Sequence, residues 1–277
     1  VSDPRRPIYA FLGPYLKTPG WNNRELREGM DRHLDLLGVP REPATAPPPG
    51  QGLGTGADAA AGAGGDPAAV GGQIRSEDDL TAMLGNRNAP ALTDADFEAV
   101  AAELGVPVKL IKAVRKVEAP RGPFDDKGRP SILYEKHVFA RNSAGRFNGS
   151  HPALSAASWQ PGTYGPHSAQ YGKLAAACRL DQDAAFKACS WGAFQVLGEN
   201  AVSLDYRSAF DMALALTFSE AAHLDSFVRF VKVNGLVDEL RACKAGDPES
   251  CVPFVRAYNG SGFRKNNYHV KLAEAAR

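Results

Sequence analysis

The sequence predicts a mainly α-helical (α+β) domain with one small β hairpin. Three observations carry this. Capped amphipathic stretches follow one another from residue 76 onward. A single alternating stretch, Ile132–Phe139, follows the turn-forming run Asp125-Asp126-Lys127-Gly128 and reads as a strand. Beyond about residue 172 the pattern is mostly helical again.

In order along the chain, residues 1–40 form a small segment. Leu26, Met30, Leu34 and Leu37 recur at helical spacing there, and Gly38 and Pro40 stop the helix. One short amphipathic helix has to pack on something else, so this is a docking segment or a small subdomain. Residues 41–75 are rich in Pro, Gly and Ala and bury too little apolar surface to offset their ordering entropy, so they read as a linker.

The main domain is expected over residues 76–277. Ser76 caps a first helix. Thr93, with Asp96 three residues on, caps a second that Gly105 ends. Pro107 opens a third at a first-turn position that tolerates proline, and Pro120 ends it. The run from Phe210 to Val233 is apolar enough for one or two central core helices, with Asn234-Gly235 as its stop. No internal repeat is visible.

Composition excludes several classes. Hydrophobic residues make up 44% and charged residues 23% of 277, as in ordinary globular proteins. A formal net charge of +1 offers no whole-molecule attraction for nucleic acid. No apolar run approaches the ~20 residues needed to span a bilayer, so membrane insertion is not expected. The start, with two arginines and no long apolar core, does not read as a signal peptide. No His or Cys spacing suits a metal, so neither metal nor cofactor is expected. His137, His167, His223 and His269 read as surface or capping residues. Cys178, Cys189, Cys243 and Cys251 fall in two short-range pairs. They are either reduced thiols or, in an oxidising place of work, the disulfides Cys178–Cys189 and Cys243–Cys251.

Glu118 attracts attention as an acid. It closes a helix whose apolar face is Val108, Ile111, Val114 and Val117, so it borders buried surface. It also lies at the negative end of the helix dipole. Both effects raise a carboxyl pKa, which suits a proton donor to a glycosidic oxygen. The plainer reading is a solvated helix-end carboxylate beside Arg115 and Lys116.

Motif order separates the two readings. Val117-Glu118 is followed by Asp126, Gly128-Arg129-Pro130 and Ile132–Phe139. Then come Cys189-Ser190-Trp191-Gly192-Ala193-Phe194-Gln195-Val196 and Ala257-Tyr258-Asn259-Gly260. In this order they resemble the lysozyme and lytic transglycosylase superfamily. Within it, they resemble the N-acetylmuramidase family of phage endolysins and antibacterial secreted effectors. The resemblance covers about residues 76–277. It implies a lysozyme-like helical domain that cleaves peptidoglycan glycan strands, with Glu118 as catalytic acid. One departure stands out: where the family usually has a small residue and glycines after the acid, this chain has Ala119-Pro120-Arg121-Gly122.

The resemblance also makes Glu135 a site residue, positioning water or stabilising positive charge on the sugar; otherwise it is a partner for Lys136 or Arg129. Asp125 and Asp126 are either turn residues or second-carboxylate candidates. Ser190, Gln195, Tyr258 and Asn259 carry hydroxyl and amide groups suited to sugars. Trp191 either stacks on a sugar or fills the core. The implied activity is hydrolysis between N-acetylmuramic acid and N-acetylglucosamine. The alternatives are a lytic transglycosylase giving anhydro-muramic products and a catalytically inactive wall-binding or delivery module. The place of action is the periplasm or cell wall of a target bacterium, and the protein is expected to be a monomer. For residues 1–40 the partner is cell wall, a secretion-system component or an immunity protein, and the residues do not choose among them.

Overall fold

The structure, a computed structural model, describes residues 74–160 and 162–277. The helix expected within residues 1–40 and most of the linker lie outside the described residues. Gln73–Arg277 form one compact unit. Its boundary differs slightly from expectation. Ile74, placed in the linker by composition, is buried, and its amide donates to Gln182. The Arg75 carbonyl accepts from Arg179.

Eleven α-helices and three short strands make up the described part. The first three helices are α1 (Glu77–Leu84), α2 (Asp94–Leu104) and α3 (Val108–Glu118). Ser76 and Thr93 both close capping boxes, with Asp79 and Asp96 returning the bond to the cap amide. Gly105 ends α2 in the left-handed conformation. α3 buries Leu110, Ile111, Ala113 and Val114, one helical face.

The predicted strand Ile132–Phe139 is cut short. Strand β1 spans only Ile132–Tyr134, and helix α4 (Lys136–Asn142) starts directly behind Glu135. Val138, Phe139 and Ala140 are all buried in α4. Residues 136–139 mix apolar and polar positions in a run too short to tell a period of 2 from 3.6, and packing decided. The Asp125–Gly128 turn does form a tight hairpin, closed by a bridge between Phe124 and Pro130.

A long irregular segment leads from α4 to α5 (Gln170–Cys178) and α6 (Gln182–Lys187). Then β2 (Cys189–Trp191) and β3 (Val196–Leu197) form a hairpin, and the sheet order is β1-β2-β3, antiparallel throughout. The apolar run from Phe210 resolves into two helices, α7 (Ala209–Leu216) and α8 (Glu220–Val233). Ser219 breaks it by capping the second. Asn234 caps the end of α8, and Gly235 follows at φ +66°. Helices α9 (Val237–Ala242), α10 (Val252–Asn259) and α11 (Tyr268–Ala275) complete the unit, and α11 packs along α3.

The core is aromatic and aliphatic. Trp191 stacks on Phe186 with centroids 5.5 Å apart, and Phe194 stacks on Phe227 at 4.8 Å. His223, expected at the surface, is fully buried on α8. Its Nδ1 accepts from the Ala193 amide at 2.9 Å and its Nε2 bonds the Leu216 carbonyl at 2.7 Å. It therefore fastens the Gly192–Phe194 turn to the core. Gly192 has φ +71°, and a Cβ there would stand 2.6 Å from His223 Nδ1, so only glycine fits.

The four cysteines are free thiols, and all are buried. The disulfides that an oxidising place of work would bring are thus absent. Burial pushes the Cys178 thiol up to about 12, which keeps it protonated and unreactive.

Candidate active site

Glu118 sits where three helix ends meet. It is the last residue of α3, Asn259 is the last residue of α10, and Tyr268 is the first of α11. The Tyr268 hydroxyl donates to Glu118 Oε1 at 2.6 Å, and Asn259 Nδ2 donates to the same oxygen at 3.3 Å. Burial raises the Glu118 pKa to about 7, and the two donated bonds only partly oppose it. The group is therefore an acid that holds its proton near neutral pH. Tyr258 stands one residue before Asn259, and its hydroxyl donates to the Phe194 carbonyl. That bond locks α10 against the Gly192–Phe194 turn.

A cleft of about 920 Å³ opens beside Glu118. Glu135, Ser190, Gln195, Tyr258 and Asn259 line it with Glu118. Glu135 enters from the junction of β1 and α4. Ser190 Oγ donates to its Oε1 at 3.3 Å, Tyr164 Oη donates to its Oε2 at 3.4 Å, and His137 Nε2 is 3.7 Å from Oε2. Gln195, at φ +50°, gives its Nε2 to the carbonyls of Gly192 and Ser131, which fixes the side chain at the cleft wall.

Three sequence candidates are elsewhere. Trp191 is wholly buried, and its Nε1 donates to the Phe186 carbonyl. Register explains this: Ser190 pairs with Leu133, and both line the cleft, so its strand neighbour Trp191 points to the opposite, inner face. Asp125 is absorbed by its own turn. It accepts from the amides of Lys127 and Arg129 and pairs with the buried Arg129 guanidinium at 2.7 Å. Asp126 is exposed on the same turn, and neither residue lines the cleft.

Sequence reasoning missed Tyr164, Trp159 and the role of Tyr268. Tyr164 and Trp159 come from the irregular segment before α5, where no periodicity points to function. Trp159 Nε1 donates to Tyr164 Oη at 2.7 Å, and Lys265 Nζ lies 5.4 Å over the Trp159 ring. Burial, with Glu135 nearby, pushes the Tyr164 hydroxyl up to about 12, so it remains a donor. The buried Gln170 side chain holds this segment, accepting from the Tyr134 amide and donating to the carbonyls of Tyr164 and Pro166. Nothing local in the sequence aims Tyr268 at Glu118.

The N-acetylmuramidase family matches residues 107–277, more than half of the chain and all of the cleft. The chain belongs to the N-acetylmuramidase family. It is accordingly a peptidoglycan glycosidase. Among solved structures it is similar to the crystal structure of the Burkholderia AP3 phage endolysin. The two share 32% identity with a TM-score of 0.59, over 73% of this chain and 83% of the other. A search of curated proteins found no match.

No helix among the described residues is long and apolar enough to cross a membrane. No group of three or more His, Cys, Asp or Glu among the described residues is placed to hold a metal ion.

Proposed function

We propose that the chain hydrolyses the bond between N-acetylmuramic acid and N-acetylglucosamine. Glu118 acts as general acid, and Glu135 orients the attacking water. The observation that carries this reading is the environment of Glu118: a carboxyl held at about 7 by burial, at the wall of a cleft that also presents a second carboxyl. Glu118 gives its proton to the leaving oxygen as the glycosidic bond breaks. Water adds its hydroxyl to the anomeric carbon, and its proton passes to the Glu135 carboxylate. Ser190 and Tyr164 orient that carboxylate through their hydrogen bonds. Gln195, Tyr258 and Asn259 offer amide and hydroxyl groups to the sugars.

This activity acts on the wall of a target bacterium, in lysis. The protein works as a modular chain in which residues 1–40 dock and residues 41–73 span to the catalytic unit. Those residues recognise cell wall, a secretion-system component or an immunity protein.

The products decide the reaction type. Digested sacculi analysed by mass spectrometry should yield reducing muramic acid ends, one water heavier than anhydro ends. Only anhydro ends would make the enzyme a lytic transglycosylase with the same acid. Glu135→Gln should lower hydrolysis by at least about a hundredfold, the usual size of a general-base contribution. Full activity in that variant would reduce Glu135 to a structural role.

A further inference from the structure

Glu118 stands at the junction of two cavities. Besides the main cleft, a second cavity of about 340 Å³ opens on the other side and shares Glu118, Leu133 and Gln195 with it. Its walls are the Ala119–Gly122 turn on one side and the Gly165–His167 stretch on the other. Because Glu118 lines both cavities, a glycan strand reacting there passes within reach of the second one.

The charge there is one-sided. Glu118 is the sole acidic residue among the lining residues, and burial raises its pKa to about 7. Arg121 lines the cavity, is exposed, and has no ion-pair or hydrogen-bond partner among the described residues. A shallow continuation shares the Ala119–Gly122 turn and adds Lys112, Arg115 and Lys116. Lys112 is neutralised by Asp94, and Arg115 by Glu220. Lys116 and Arg121 are left as two cations without a partner among the described residues.

Muramic acid carries a peptide on its lactyl group, and that peptide bears free carboxylates. We propose that the cavity beyond Glu118 is an anion subsite in which Arg121, assisted by Lys116, receives a carboxylate of the peptide attached to muramic acid. The guanidinium fork matches a carboxylate in a two-point contact, which an unpaired lysine would not. The subsite makes the enzyme favour peptide-bearing strands with free carboxyl groups over strands whose peptides are neutral. It rests on the glycosidase reading of the cleft.

The test uses the full chain and two walls made from one preparation of sacculi free of phosphate polymers, with the same pair made from phosphate-bearing sacculi as a comparison. One is native; in the other the peptide carboxyls are converted to amides with a carbodiimide and ammonia. The measured quantity is the ratio of kcat/KM on native to amidated wall. The unmodified chain should favour native wall about three- to tenfold, the size of one partly exposed charge-assisted contact. Arg121→Gln should bring the ratio towards one, mainly through KM, and Arg121→Lys should restore part of it. The preference should also shrink as salt rises. An equal ratio in the unmodified chain and Arg121→Gln overturns the subsite, whether or not the overall rate falls. A preference that appears only on phosphate-bearing wall, and that Arg121→Gln removes, assigns the site to wall phosphate and overturns the peptide assignment. Cleavage of neither wall by the unmodified chain overturns the glycosidase reading itself, and the subsite with it.

Discussion

Tyr268 Oη and Glu118 Oε1 lie 2.6 Å apart although 150 residues separate them in the chain. The packing of α11 along α3 creates the contact. Its donated bond stabilises the ionised acid, while burial disfavours it more strongly, and the balance leaves Glu118 at about 7. The rate should therefore fall as pH rises through about 7, because the proton donor is lost.

Replacing each partner tests that balance. Glu118→Gln keeps the shape and removes the proton, so lysis of outer-membrane-stripped cells should drop by at least about a thousandfold with circular dichroism unchanged. Tyr268→Phe removes a bond that lowers the acid's pKa, so the alkaline limb should move to higher pH. Its rate at neutral pH should fall about tenfold as the carboxyl loses its orienting partner. An alkaline limb that stays put would separate it from Glu118.

Thermal stability should report the same group independently of activity. A carboxyl with a raised folded pKa contributes stability that is full below its unfolded value, 4.5, and lost as pH rises through about 7. Glu118→Gln does not titrate. Its melting temperature should rise relative to the unmodified chain between pH 4.5 and 7, then keep a constant gap above. The gap corresponds to about 1–3 kcal/mol, a few degrees for a unit of this size. A gap independent of pH would mean that Glu118 is solvated in the folded chain.

Gly192 and His223 form the second test of the architecture. Gly192→Ala places a Cβ against the His223 ring at a positive φ and should destabilise the unit by about 3 kcal/mol, measured by urea unfolding. Because His223 helps hold the turn ahead of Gln195, its loss should also disturb the cleft. Burial lowers the His223 pKa to about 4, against 6.5 unfolded. Its contribution to stability should thus be present above pH 6.5 and lost as pH falls towards 4, the opposite direction to that of Glu118. His223→Gln should flatten that acid limb. An unchanged slope would mean that other groups set it.

Much of the helical framework was legible because its signals are local. Ser76 and Thr93 cap helices through bonds to residues three positions on, and Gly105 ends one by its own backbone freedom. The candidate acid was legible too, since Glu118 closes an amphipathic helix and the motifs that resemble the family follow it in order. The Ile132–Phe139 stretch was misread beyond Tyr134 because eight residues cannot distinguish alternation from a helical face once burial is unknown. Trp191 and Ser190 are neighbours with opposite fates, and only strand register tells which faces the cleft. Asp125, open in the sequence between turn duty and a second carboxylate, pairs with the buried Arg129, which lies close only once the turn has formed.

What the sequence determined by itself, then, is the order of capped helices, a candidate acid and the family likeness, the first two carried by residues within a few positions of one another and the last by the order of motifs along the chain. The tertiary structure alone decided which groups surround that acid. Tyr268, Asn259, Tyr164 and the second cavity reach Glu118 or Glu135 from distant segments. The same holds for the pKa of Glu118, since desolvation depends on how completely the packed helices exclude water, and no local pattern encodes that.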